Sequence, residues 1–256
     1  MPMETTMEDL ITKKSGIIIL LLGRSGAGKS HFINVAAGKK IASVSGSLTA
    51  DKNELVVQHF TIDNRQPRNP NSPDKLILVD TPGFDNYYRE VNDATILQRI
   101  SEWLTSRCSL DARFGGVIYF HDITQDRGAM EYNHTWPAAY LTDPEPVRHL
   151  LLATAKWDRV PAHPHAANYE EREDILSRTV WSRMLARGAR VARFANTTDS
   201  AWMVLSQLLE LQPLDLHILQ KDLMRIKSRG QVKGFGKKKT FFSWMAGLLS
   251  KLFMSK

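Results

Sequence analysis

The sequence predicts an α/β fold, three layers deep, with a mostly parallel sheet between helices on both faces. Three observations predict it. Ile17 to Leu22 is an unbroken apolar run, the pattern of a short strand buried on both faces. The run stops at Gly23 in a glycine-rich loop, and Phe32, Ile33, Val35, Ala36 and Ala37 then follow at helical positions. Two later apolar runs also end in polar tetrapeptides, Asp80-Thr81-Pro82-Gly83 and Ala155-Lys156-Trp157-Asp158. An open parallel sheet collects its ligand site at the carboxyl ends of its strands, so three such ends in order predict one shared site.

The first loop, Gly23 to Ser30, reads GRSGAGKS and fits the GxxxxGK[ST] phosphate-binding pattern. Backbone N–H groups must come close to phosphate oxygens, which explains the small residues Gly23, Ser25, Gly26, Ala27 and Gly28. The helix that follows offers its positive end to the anion. Lys29 reaches the β and γ phosphates, and the Ser30 hydroxyl is placed for a bridging Mg²⁺ ion. Asp80, at the end of its strand, is the second candidate for Mg²⁺, and Gly83 can present its N–H to a γ-phosphate. In the third tetrapeptide, Asp158 can accept two hydrogen bonds from the guanine N1–H and amine while the Lys156 stem packs along the base. Adenine would leave that carboxylate unpaired.

Composition narrows the class. The chain has 256 residues, 43% of them hydrophobic, enough for one α/β domain with extensions. Ile17 to Leu22 is too short to cross a bilayer, and the amino terminus lacks the regions of a signal peptide. A single cysteine, Cys108, excludes an internal disulfide framework and fits a reducing, cytoplasmic setting. The net charge of +7 invites a nucleic-acid reading, but nine cations and no acid lie after Asp222. Removing those nine leaves the body at −2, so the basicity belongs to a tail and nucleic acid is not the expected partner.

In chain order, residues 1–15 read as a loose lead-in. Gly38 to Asn53 is a loop rich in Ser, Gly and Thr. Glu54 to Ile62 reads as a strand, Asp63 to Asp74 as a loop and Leu76 to Val79 as a buried strand. Asn92 to Arg107 is an amphipathic helix with Ile96, Leu97, Ile100, Trp103 and Leu104 on one face. Phe114 to Phe120 and Val147 to Thr154 are the next strands. Helices follow over Tyr169 to Ala186, burying Ile175, Leu176, Trp181 and Leu185, and over Ser200 to Leu211, burying Trp202, Leu205, Leu208 and Leu209. His163 and His165 have no third ligand at metal spacing and read as a solvated loop. Leu214 to Lys227 reads as helical.

Five segments carry a family resemblance: GRSGAGKS (Gly23 to Ser30), VDTPGFDN (Val79 to Asn86), ILQRISEWL (Ile96 to Leu104), GGVIYFHDITQDR (Gly115 to Arg127) and TAKWD (Thr154 to Asp158). With RFANTTDSAW (Arg193 to Trp202), they make residues 16–211 resemble a septin-like P-loop GTPase related to the immune-associated (AIG-type) GTPases. Among these the chain is most similar to G-domain proteins of basidiomycete fungi. The resemblance implies a mixed sheet with one antiparallel strand, GTP or GDP as ligand, Mg²⁺ as cofactor, and a base pocket closed by Ala195 and Asn196. It also implies dimerisation across the nucleotide face with an arginine donated in trans. Arg127 matches that position, although an exposed loop arginine fits it equally well. Such a finger adds roughly 10³ to 10⁵ in rate.

Three departures bear on activity. Lys52 stands where the family places a threonine of the first switch, leaving Thr49 as the nearest hydroxyl for Mg²⁺. Ala155 replaces an Asn or Thr that braces the phosphate loop. Phe84 follows Gly83 where Ras-like enzymes carry a water-orienting Gln, so slow hydrolysis is expected. His121 either borders the γ-phosphate or caps its strand, and the cap is preferred.

The tail divides into a helical extension and basic linker over 212–240 and an amphipathic helix over 241–256. Phe241, Phe242, Trp244, Met245, Leu248, Leu249, Leu252 and Phe253 share one half of that helix, next to Lys237, Lys238 and Lys239. This matches an in-plane anchor on an anionic membrane, each lysine contributing about 1 kcal/mol. A helix docked on the body and an oligomerisation face are the competing readings. The expected function is a slow GTPase whose nucleotide state controls self-association, with a non-catalytic nucleotide-binding scaffold as the alternative.

Overall fold

The computed structural model describes residues 10–44, 56–65, 74–84, 93–125, 147–159 and 168–216. Its strands are β1 (Ile17–Gly23), β2 (Gln58–Asp63), β3 (Lys75–Asp80), β4 (Arg113–Asp122), β5 (Leu150–Ala155), β6 (Arg190–Phe194) and β7 (Leu214–Asp215). The helices are α1 (Lys29–Ala37), α2 (Asp93–Arg107), α3 (Tyr169–Arg178), α4 (Ser182–Leu185) and α5 (Thr198–Leu209). The sheet order is β2-β3-β1-β4-β5-β6. β2 lies antiparallel on β3, whereas β3, β1, β4, β5 and β6 pair parallel to one another. The expected α/β fold with a mixed, mostly parallel sheet is therefore the observed one.

β1 shows why its sequence is apolar at every position. Ile18, Leu20 and Leu22 enter one core cluster, with Ile96, Ile100 and Leu104 of α2, Leu176 of α3 and Met184 of α4. Ile17, Ile19 and Leu21 enter the other, with Phe32, Ile33 and Ala36 of α1 and Ala201, Leu205 and Leu208 of α5. A two-residue period over a strand covered on both faces leaves no polar position. Each fully buried Ile or Leu contributes about 1.5–3 kcal/mol by leaving water.

Several sequence expectations are corrected. β2 begins at Gln58, and as an edge strand it is largely exposed. β4 runs on to Asp122, which brings His121 and Asp122 into the strand. The helix expected over Tyr169 to Ala186 breaks: Thr179 leaves helical geometry at φ −111 and ψ −84, and its hydroxyl bonds back to the Ile175 carbonyl at 2.5 Å. The break turns Trp181 into the core at 1% exposure and leaves Ile175 outside at 44%. Helix periodicity cannot register such a turn, because the β-branched pair Thr179-Val180 only weakens a helix.

α5 starts two residues earlier than expected, at a capping box between Thr197 and Ser200. Leu214 and Asp215, expected to be helical, pair antiparallel with Phe114 and Arg113 of β4. The lead-in is pinned at its end, since Ile11 is buried, receives a hydrogen bond from the Ser109 amide and donates one to the Arg107 carbonyl, both 2.8 Å. No described helix is long and apolar enough to cross a membrane.

Candidate nucleotide site

The loop after β1 is built for an anion. Gly28 occupies the cap position of α1 in a left-handed conformation, φ 105, with no side chain bonded to the helix amides and no acid in the first turn. An uncapped helix start presents N–H donors and a positive dipole end to whatever sits before it. Lys29 is buried beneath the loop, where its Nζ donates to the carbonyls of Gly23 and Arg24, both at 3.1 Å. Burial lowers the Lys29 pKa to about 8, against the opposing pull of Asp80. The lysine is thus held back by two neutral oxygens in a place suited to stronger, charged ones.

Asp80 ends β3 directly beside this loop, and the Ser30 hydroxyl donates to its Oδ2 at 2.5 Å. Burial raises the Asp80 pKa, while Lys29 and Ser30 act to lower it. A carboxylate and a hydroxyl facing each other are hard oxygen ligands suited to Mg²⁺. No cluster of three His, Cys, Asp or Glu side chains occurs among the described residues.

Thr81 anchors the next loop through a 2.7 Å bond from its hydroxyl to the Leu21 carbonyl. Gly83 then lies flat on the phosphate loop. A Cβ there would stand 2.4 Å from both the Ser25 nitrogen and its Cα, backbone atoms that cannot swing aside. Two hydrogen bonds of 3.1 Å join the loops, from the Ser25 amide to the Phe84 carbonyl and from the Phe84 amide to the Gly23 carbonyl. Phe84 itself is fully buried in the core, so it presents no side chain to a water molecule. Gly83→Ala is expected to push the two loops apart, lowering thermal stability by about 1–3 kcal/mol. A thermal melt and a nucleotide titration of that variant check this, with both readings reduced.

The third strand end supplies the other half of the site. Asp158 accepts a hydrogen bond from the Asn196 amide at 3.2 Å, and the Asn196 carbonyl oxygen is bonded to His31 Nε2. Asn196 holds a left-handed backbone, φ 62, and Ala195 donates its N–H to the Ser200 hydroxyl at 3.1 Å. A chain of polar groups therefore runs from Asp158 through Asn196 to the second residue after Lys29. Ala155 faces the phosphate loop with only its methyl, 3.9 Å from where a Gly28 Cβ would stand.

Trp157 is locked behind the loop. Its indole N–H donates to the Thr154 hydroxyl at 3.0 Å, and the Arg193 guanidinium lies 4.3 Å over its ring. Glu173 ties these together by accepting from Thr154 at 2.7 Å and from Arg193 at 2.6 Å.

The structure thus brings Gly23, Ser25, Gly26, Ala27, Gly28, Lys29, Ser30, Asp80, Gly83, Lys156, Asp158, Ala195 and Asn196 to one end of the sheet. Arg127, Thr49, Lys52, His163, His165 and the tail from Lys237 to Phe253 lie outside the described residues. Sequence reasoning missed His31, Asp122, Glu173 and the part played by Trp157. Only Asp122 carried a usable signal, an acid at the end of a buried strand like Asp80. His121 packs edge-on against Trp181 with ring centres 5.7 Å apart, and burial lowers its pKa to about 4, which favours the structural reading. A polar cleft of about 410 Å³ near Lys13, Lys14 and Lys75 lies at the opposite ends of the strands and takes no part in this site.

Residues 18–127 match the sequence profile described as a 50S ribosome-binding GTPase. Residues 18–127 are thus similar to a GTPase G domain. Among curated proteins, this chain is similar to a probable GTP-binding protein EngB of Streptococcus equi subsp. equi, 34% identical over 111 residues, 42% of this chain and 49% of that protein. The chain thus spans about half the length of the curated relatives it matches. In fold it resembles Toc33 from Arabidopsis thaliana in complex with GDP and Mg²⁺, with a TM-score of 0.52 and 15% identity over 77% of this chain and 84% of that one. A second similar structure, described in a study of dimerization and GTPase activity in the chloroplast translocon components atToc33 and psToc159, has a TM-score of 0.50 and 13% identity. It covers 97% of this chain and 86% of its own.

Proposed function

We propose that this protein binds GTP and GDP with Mg²⁺ and hydrolyses GTP slowly, its nucleotide state controlling self-association. The observation that carries the reading is the convergence of three strand ends. The phosphate loop follows β1, the Ser30–Asp80 pair lies at the end of β3, and Asp158 with its Asn196 partner lies beyond β5. Loop amides and Lys29 hold the phosphates, Ser30 and Asp80 hold the ion, and Asp158 with Lys156 selects guanine. Bound Mg²⁺ supplies neutralisation of the charge that develops on the transferring phosphoryl group.

Slow turnover follows from Phe84, which is buried and has no polar atom for the attacking water. A trans arginine would compensate, and Arg127 is the candidate. The similar structure described for atToc33 and psToc159 links dimerization with GTPase activity in those proteins, which supports asking the same question here. By its motifs the protein is a septin-like GTPase related to the AIG-type group, and the lysines and apolar face over Lys237 to Phe253 anchor it on anionic membranes.

The test is GTP hydrolysis at several protein concentrations with Mg²⁺, with Lys29→Ala as control. Specific activity is expected to rise with concentration, to vanish in the control and to lose its concentration dependence in Arg127→Ala. GTP binding without turnover at any concentration would favour the second reading, a nucleotide-binding scaffold, for which the buried Phe84 is the supporting observation.

A further inference from the structure

The loop that reads the base contains a strained residue. Lys156 has φ 67, a left-handed conformation that costs an L-residue roughly 1–2 kcal/mol and persists only where surrounding contacts impose it. Ala155 before it offers no polar atom. The contact that holds Lys156 is an ion pair of 2.5 Å from its Nζ to Asp122 Oδ2.

Asp122 is suited to that task. It is the last residue of β4 and lies in register with Ala155, the last residue of β5. Its other oxygen accepts from the Thr124 amide at 3.0 Å and the Thr124 hydroxyl at 2.6 Å, so the carboxylate cannot rotate away. It is 5% exposed, and the lysine side chain 18%. The backbone beside it is tied as well, by a 3.1 Å bond from the Ile123 amide to the Ala155 carbonyl. A charged pair this short and this sheltered is among the stronger hydrogen bonds a protein makes. With its ammonium fixed on β4, the Lys156 stem is laid along one wall of the space that Asp158, two residues on, must read.

We propose that Asp122 is a positioning residue for base recognition, holding Lys156 so that the stem and the Asp158 carboxylate meet a guanine ring together. This deepens the guanine-nucleotide reading above and rests on it. Lys156 lies two residues before Asp158, so the effect is expected to fall on choice of base.

The experiment compares Asp122→Asn, Lys156→Met and the double variant with wild type. Asparagine keeps the side-chain shape and can still accept from Thr124 while losing the charge. Dissociation constants are measured for GDP, for IDP, which lacks the exocyclic amine, and for ADP. Asp122→Asn is expected to weaken GDP binding about tenfold, the equivalent of losing one charged hydrogen bond, and to shrink the GDP-to-IDP preference. The double variant is expected to resemble Lys156→Met alone, because the two residues act as one unit. Wild-type preference in Asp122→Asn, or independent addition of the two effects, overturns the proposal. Should Asp122→Asn fail to fold, Lys156→Met breaks the pair from the other end, and an unchanged GDP-to-IDP preference there overturns it equally. Wild-type protein that binds ADP as well as GDP, or neither, would instead sink the guanine reading itself.

Discussion

Lys29→Met is expected to abolish nucleotide binding while leaving the nucleotide-free protein at least as stable as wild type. Binding falls because, in the proposed site, the ammonium would make two or more charged hydrogen bonds to phosphate, each worth about 1.5–3 kcal/mol, a combined loss above roughly a hundredfold. Stability moves the other way because burial of the cation is its dominant influence, pulling its pKa to about 8 from an ordinary 10.5. The Gly23 carbonyl keeps a donor without the lysine, since it also accepts the Phe84 amide. Replacing a buried charge by an apolar side chain of similar length is often neutral or stabilising.

The sign with pH follows from linkage. Between pH 8 and 10.5 the unfolded chain holds the Lys29 proton and the folded protein does not, so folding becomes more favourable as pH rises through that window. Below pH 8 the unfavourable contribution is present in full. Thermal midpoints of wild type and Lys29→Met should therefore converge as pH rises from 7.5 to about 10. A wild type that is the more stable at neutral pH, by a margin independent of pH, would show that the two carbonyl bonds outweigh desolvation. Nucleotide binding restores charge around the lysine, so proton uptake on binding is expected above pH 8 and is measurable by calorimetry in buffers of different ionisation enthalpy.

Asp158→Asn is expected to move base preference from guanine to xanthine. In the proposed site the carboxylate would accept from the guanine N1–H and amine. An amide in its place offers one acceptor and one donor, and that donor meets the guanine amine. Xanthine carries a carbonyl where guanine has the amine, so the amide pairs with it instead. Loss of one charged acceptor and creation of an unpaired donor cost about 2–4 kcal/mol, or roughly 30-fold to a thousandfold in GDP affinity. Competition between fluorescent GDP and unlabelled XDP reads this directly. A variant that keeps GDP and gains no XDP affinity would place the base elsewhere.

Much of this site was legible because its parts are contiguous in the chain. An apolar run ending in glycines, followed by Lys29-Ser30 and a helix, has one local solution, and Asp80 and Asp158 stand at strand ends for the same reason. Asp122 stood at a strand end too, but its strand was read as stopping at Phe120. The break at Thr179–Trp181 was hidden because helix periodicity continues through it, while core space beside His121 draws Trp181 inward.

By itself, then, the sequence determined the layered α/β fold, the burial of β1 on both faces and the strand ends at which the candidate site residues stand. These depend on patterns within some ten consecutive residues, where backbone geometry and side-chain alternation act alone. Only the tertiary structure decided the partners of those residues. Asp122 meets Lys156, Asn196 bridges Asp158 and His31, Gly83 seats on Ser25, and Leu214 returns to pair with β4. Each of these contacts depends on which strands lie side by side. That order is set by the packing of two apolar clusters across the whole sheet, a sum over many residues that no short stretch of chain contains.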